Sequence, residues 1–154
     1  MKMIHKQGWL TGALGLLLFL PVGASGHNED HEHMREMMTL KEQIPEDYRI
    51  MDRTPLKPSS ESLARGARFY TQLCAACHGP RGVGDGPASA ALPAPPASFL
   101  DLEHSAIYGP GEKYWIIGNG IPAAGMPGFA DRLKPRDRWD LVNFILELQR
   151  RAAE

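Results

Sequence analysis

Cysteine is scarce in this chain: 154 residues hold two, Cys74 and Cys77. Two thiols cannot build a disulfide framework. A structural zinc site would need two more ligands, and no second Cys-x-x-Cys or His pair follows at a compatible spacing. A surplus of one charge is lacking as well. Seventeen Lys and Arg face eighteen Asp and Glu, a formal net charge of -1. There is no basic surplus to attract nucleic acid and no acidic tail to favour disorder. No long apolar run occurs after Ala24, so no transmembrane span is expected in the mature chain. Alternating strand patterns and internal repeats are missing too.

Glycine and proline are what the chain has in quantity, 16 and 13 residues. Much of the fold should therefore be loop, and short helices alone would make a thin core. The length suits one domain after processing. Lys2 and Lys6 precede an apolar stretch from Trp9 to Ala24, and Val22-Gly23-Ala24 fits the small-residue cleavage rule. This reads as an export signal over residues 1–24, with an uncleaved anchor as the alternative. Export would place the protein in the bacterial periplasm, or outside the cell.

An oxidising compartment sharpens the question of "LCAACHGPRG", Leu73 to Gly82, which holds both cysteines and His78. A redox dithiol of the thioredoxin kind needs a βαβ context, and the flanks offer a helical pattern before and a Gly/Pro loop after. Cys-x-x-Cys-His reads best as covalent attachment of one haem c, with Cys74 and Cys77 as thioether tethers. His78 is then the fifth ligand to iron. Its other ring nitrogen should be fixed by a backbone carbonyl, for which Pro93 and Pro95 are candidates.

Three helical segments frame this stretch. The first is "SSESLARGARFYTQLCAACH", capped by Ser59 or Ser60, with Glu61 in its first turn and Leu63, Ala67, Tyr70 and Leu73 on one face. Gly66 costs about 0.8–1 kcal/mol relative to alanine inside a helix, and is better tolerated where another helix must come close. The second is "PGEKYWIIGNG", with Tyr114, Ile117 and Trp115 as inward candidates. The third is "KPRDRWDLVNFILELQRRA", with Asp137 as the expected cap, a stripe of Leu141, Phe144, Ile145 and Leu148, and Arg150 and Arg151 at its C-terminal end.

A sixth ligand separates electron transfer from ligand chemistry. Met126 is the only methionine after Cys74, and it sits between Gly125 and Pro127. A thioether there favours reduced iron and closes the distal side. Upstream, residues 25–58 form a polar arm, expected to be mobile or weakly helical. Its His27, His31, His33, Met34, Met37 and Met38 suit copper ions.

The chain here resembles the class I monohaem cytochrome c family. "CAACH" matches the haem signature, Gly66 and Tyr70 in "GARFY" the Gly-x-x-x-aromatic helix, Leu141 and Phe144 in "LVNF" the C-terminal motif, and "GMP" the methionine loop. The resemblance covers about Ser60 to Arg151. It looks most like the cytochrome domains of bacterial respiratory oxidase systems. It implies an all-α cytochrome c fold over residues 59–154, with three main helices around one covalent haem and the first and last crossing at Gly66. It implies an electron carrier with His78 and Met126 as axial ligands, serving redox partner proteins alone or within an oxidoreductase complex, and no catalytic residues of its own. Trp115, Trp139, Phe129, Phe99 and Ile121 are expected haem walls. Arg81, Lys113, Arg132 and Lys134 are candidates for a positive docking rim. Two other readings stay open. One is a copper-handling cytochrome that uses the arm. The other is a ligand-binding or peroxidase-type subunit with a displaceable Met126.

Overall fold

The computed structural model describes residues 26–154. The expected export signal, residues 1–24, lies outside the described residues. Seven α-helices follow in order: α1 Gly26–Gln43, α2 Glu46–Arg49, α3 Ser60–Leu73, α4 Ala75–His78, α5 Leu102–Ser105, α6 Pro110–Asn119 and α7 Pro135–Ala152. Two 3-10 turns, Ser89–Ala91 and Pro122–Ala124, lie in the loops. Among the described residues there is no strand, only an isolated bridge between Ile121 and Met126. The expected all-α architecture is what is found.

Helices α3 and α7 make the principal packing, and Gly66 is the reason they can. A Cβ at this position would overlap the carbonyl oxygen of Asp140 and sit 2.8 Å from Phe144 Cβ. Any larger residue would hold the two backbones apart. Ser59 caps α3, its Oγ accepting from the Ser62 amide at 3.2 Å. Beside the crossing, Ser62 Oγ donates to Asp140 Oδ1 at 2.6 Å and Arg65 Nε to Asp140 Oδ2 at 2.7 Å. Asn143 Nδ2 donates to the Leu56 carbonyl at 3.0 Å. Burial pushes the Asp140 carboxyl up, but the bonds from Arg65 and Ser62 outweigh it and hold it below its ordinary value.

The core gathers Tyr70 from α3, Tyr114 and Ile117 from α6, Phe129 and Leu133 from the following loop, and Trp139, Leu141, Val142 and Ile145 from α7. Burying an aliphatic side chain of this size contributes about 1.5–3 kcal/mol. Tyr114 stacks on Trp139 with ring centres 4.2 Å apart, and Tyr48 stacks on Tyr114 from α2. Helix α6 starts at Pro110, and Glu112 Oε2 reaches back to accept from the Gly109 amide at 2.6 Å.

Three local expectations are corrected. Asp137 does not cap α7: Lys134 occupies the cap without a side-chain bond, Pro135 opens the helix, and Asp137 lies in the first turn, where a carboxylate still favours the helix dipole. Lys113 is no rim residue. It is buried, its Nζ donates to the carbonyls of Ser105 and Tyr108, and burial lowers it to about 8. The upstream arm over residues 25–58, expected mobile or weakly helical, is helical over Gly26–Gln43 and is not free: α1 is tied to the rest of the chain. Lys41 Nζ donates to Glu112 Oε2 at 3.0 Å, Tyr108 Oη donates to the Met37 carbonyl at 2.9 Å, and Ile44 is fully buried.

Candidate functional site

Cys74, Cys77 and His78 share one turn of helix. Cys74 ends α3, with its amide bonded to the Tyr70 carbonyl at 2.9 Å. It then starts α4, where the amides of Cys77 and His78 return to the Cys74 carbonyl at 3.1 and 2.9 Å. Spacings of three and four put all three side chains on one helix face. The thiols are free, and burial, followed by the neighbouring Cys77, pushes Cys74 up to about 12. Disulfide-exchange thiols have the opposite shift.

The glycine-rich segment after His78 wraps this turn and satisfies its carbonyls. Gly84 donates to His78 O at 2.9 Å, Gly86 to Cys77 O at 3.1 Å, and Ala88 to Ala76 O at 2.8 Å. Gly79 turns the chain with φ +76, a left-handed conformation that glycine adopts freely. Its carbonyl accepts from the buried Tyr70 hydroxyl at 2.7 Å, so α3 fixes both ends of the motif.

His78 Nδ1 donates to the carbonyl of Ala97 at 3.0 Å. Pro93 and Pro95, the candidates from the sequence, do not hold the ring. They are only a few residues away, but the chain continues past them before it turns back. Phe99 lies flat on the imidazole, with ring centres 4.7 Å apart and planes 20° apart. Its amide is anchored to Gly82 O at 2.7 Å. Burial lowers the His78 pKa against the opposing bond to Ala97, so the neutral ring is favoured. A proton on Nδ1 leaves the lone pair on Nε2.

Met126 is fixed by its backbone. Ile121 donates to Met126 O at 2.9 Å, and Met126 donates back to Ile121 O at 3.1 Å. Gly125 closes the intervening turn in the left-handed region, and a Cβ there would meet Pro93 Cδ at 2.8 Å. The methionine loop thus lies against the proline loop. Met126 and Cys74 both pack against the core cluster, as does Phe99. Of the expected walls, Phe129 and Trp139 are core residues, whereas Phe99, Trp115 and Ile121 are half-buried. Of the expected rim, Arg81, Arg132 and Lys134 are exposed.

The donor set fits a covalent haem. Two thiols share the face of a neutral imidazole that is oriented through its other nitrogen. A thioether and several aromatics border the same apolar cluster. The roles of Ala97, Phe99 and Tyr70 in holding His78 and its turn are not readable from the motif. Phe99 was expected only as a haem wall, and its stacking on His78 has no signal in the motif.

A one-haem, all-α electron-transfer fold is the class these features define. The family model described as Cytochrome c matches residues 63–149, and the chain belongs to that family. Its prosthetic group is one covalently bound haem c, and its chemistry is electron transfer. Among solved structures, the chain is similar to the reducing HAO-like protein complex of Kuenenia stuttgartiensis, at 26% identity and a TM-score of 0.54. That match covers 61% of this chain and 46% of the other, so the chain spans about half the length of its structural relative. No curated protein matches the chain. Among the described residues no helix is long and apolar enough to cross a membrane.

Proposed function

We propose that the protein is an exported, periplasmic carrier of single electrons between respiratory redox partners. Cys74 and Cys77 hold the haem through thioethers. His78 Nε2 and the Met126 sulfur would supply the protein ligands to its iron. The haem supplies a one-electron iron couple. Everything else is the work of this chain. Ala97 fixes the His78 tautomer and Phe99 limits its rotation. The Ile121–Met126 bridge holds the thioether in place, and the apolar walls keep water from the iron and raise its potential. No substrate-binding or catalytic residue is needed.

The observation that carries this reading is the bond from His78 Nδ1 to Ala97 O, because it turns a histidine beside two thiols into an oriented neutral ligand. Intact-mass analysis of the exported protein tests the attachment. One haem mass should be retained under denaturation by the wild type and lost from the Cys74→Ser, Cys77→Ser double variant. The retained haem in that variant would refute the tethering. Rapid carbon monoxide binding by the reduced wild type would favour a displaceable Met126 and a ligand-binding subunit instead.

A further inference from the structure

Helix α1 brings a histidine to the domain surface beside another. The His33 and His104 ring centres are 5.7 Å apart, with planes 49° apart. His33 belongs to α1, and His104 to α5, 71 residues later. This contact has no part in the haem site, and it gathers the arm's histidine chemistry onto the folded domain.

The geometry points to a site for a late divalent transition-metal ion, Zn2+ or Cu2+, held by His33 and His104 with water completing its shell. Three observations support it. The first is distance. A metal lies about 2.0–2.1 Å from an imidazole nitrogen, hence about 3 Å from the ring centre. Two rings on one tetrahedral ion then have centres about 5 Å apart. The observed 5.7 Å is wider, so the two rings would approach by less than about 1 Å to share an ion.

The second is orientation. His104 Nδ1 bonds to Asp101 Oδ2 at 2.7 Å, and Asp101 is itself placed as the cap of α5, accepting from the His104 amide. A carboxylate on one ring nitrogen fixes the tautomer and makes the other nitrogen a better ligand. The third is access and anchorage. His104 and Asp101 have side chains 31% and 45% exposed, so an ion can enter from solvent. The Tyr108 bond to Met37 O and the Lys41 pair with Glu112 hold α1 in register one and two turns beyond His33. Imidazole suits zinc and copper, and two neutral nitrogens without a thiolate give a site of moderate affinity.

Isothermal titration of the full exported holo-protein with Zn2+ tests the proposal, with the haem absorption spectrum recorded as a check on folding. The expected result is one equivalent bound by the wild type, with affinity at least tenfold weaker in H33A and in H104A. D101N should weaken binding by about 10–100-fold through the lost orientation. H31A should bind as the wild type does. Because His33 is exposed, H33A keeps the test valid even if H104A folds poorly. Wild-type affinity in H33A, or a loss in H31A equal to that in H33A, would overturn the site.

Discussion

The imidazole of His78 is held by the carbonyl of Ala97, 19 residues further on, through a 3.0 Å bond from Nδ1. A short motif therefore gets its chemical orientation from a loop that returns to it. Phe99, two residues past Ala97, stacks on the same ring and ties the loop back to Gly82.

Phe99→Ala removes that stacking partner while leaving the Ala97 carbonyl in the chain. We expect a loss of about 2 kcal/mol in denaturant unfolding, below the roughly 3–5 kcal/mol of a fully buried aromatic because the ring is only half-buried. The reduction potential should shift as well, since His78 gains rotational freedom. Unchanged stability and potential would show that the stack contributes nothing.

Gly66→Ala tests the helix crossing. The added methyl would overlap the backbone oxygen of Asp140, which cannot swing away as a flexible side chain could. Overpacking of this kind costs about 1–3 kcal/mol, and the helix propensity gained from alanine does not offset it. A variant as stable as the wild type would mean that α3 and α7 can separate without loss.

How far the sequence disclosed the fold depends on the range of the interaction. The α3–α7 crossing was legible because a glycine in an otherwise sound helix needs a reason, and close helix packing is a common one. The α4 turn was legible because its spacing is local. Ala97 was not, since any carbonyl of the loop could serve and only the chain path selects one. Lys113 looked like a surface lysine. Its burial depends on the carbonyls of Ser105 and Tyr108 turning towards it. The docking of α1 rests on Lys41 and Glu112, 71 residues apart, a pairing that no local periodicity reveals.

Asp140→Asn should change the acid limb of stability. The Asp140 pKa is depressed in the fold, so its stabilisation is present above the unfolded value of about 3.9 and is lost as pH falls through the folded value. The variant should be less stable at neutral pH and should lose less on acidification, as followed by thermal unfolding between pH 7 and 3. Parallel curves would remove Asp140 from the acid response.

Lys113 gives a slope of the same sign, but in alkali. Its folded value is about 8, below the unfolded value of about 10.4, so the fold releases this proton first. Between these values the unfolded chain holds more protons, and stability should rise with pH. Lys113→Met should abolish that rise. A rise of equal slope in the variant would assign it to another group.

The central claim is that Met126 would supply the second protein ligand to the haem iron, beside His78. The most direct measurement is the far-red absorption of the ferric holo-protein at neutral pH, wild type against Met126→Ala. The account predicts the weak sulfur-to-iron band in the wild type and its loss in the variant, together with a lower reduction potential and new carbon monoxide binding. A wild type without that band, or a variant that keeps it, would contradict the account.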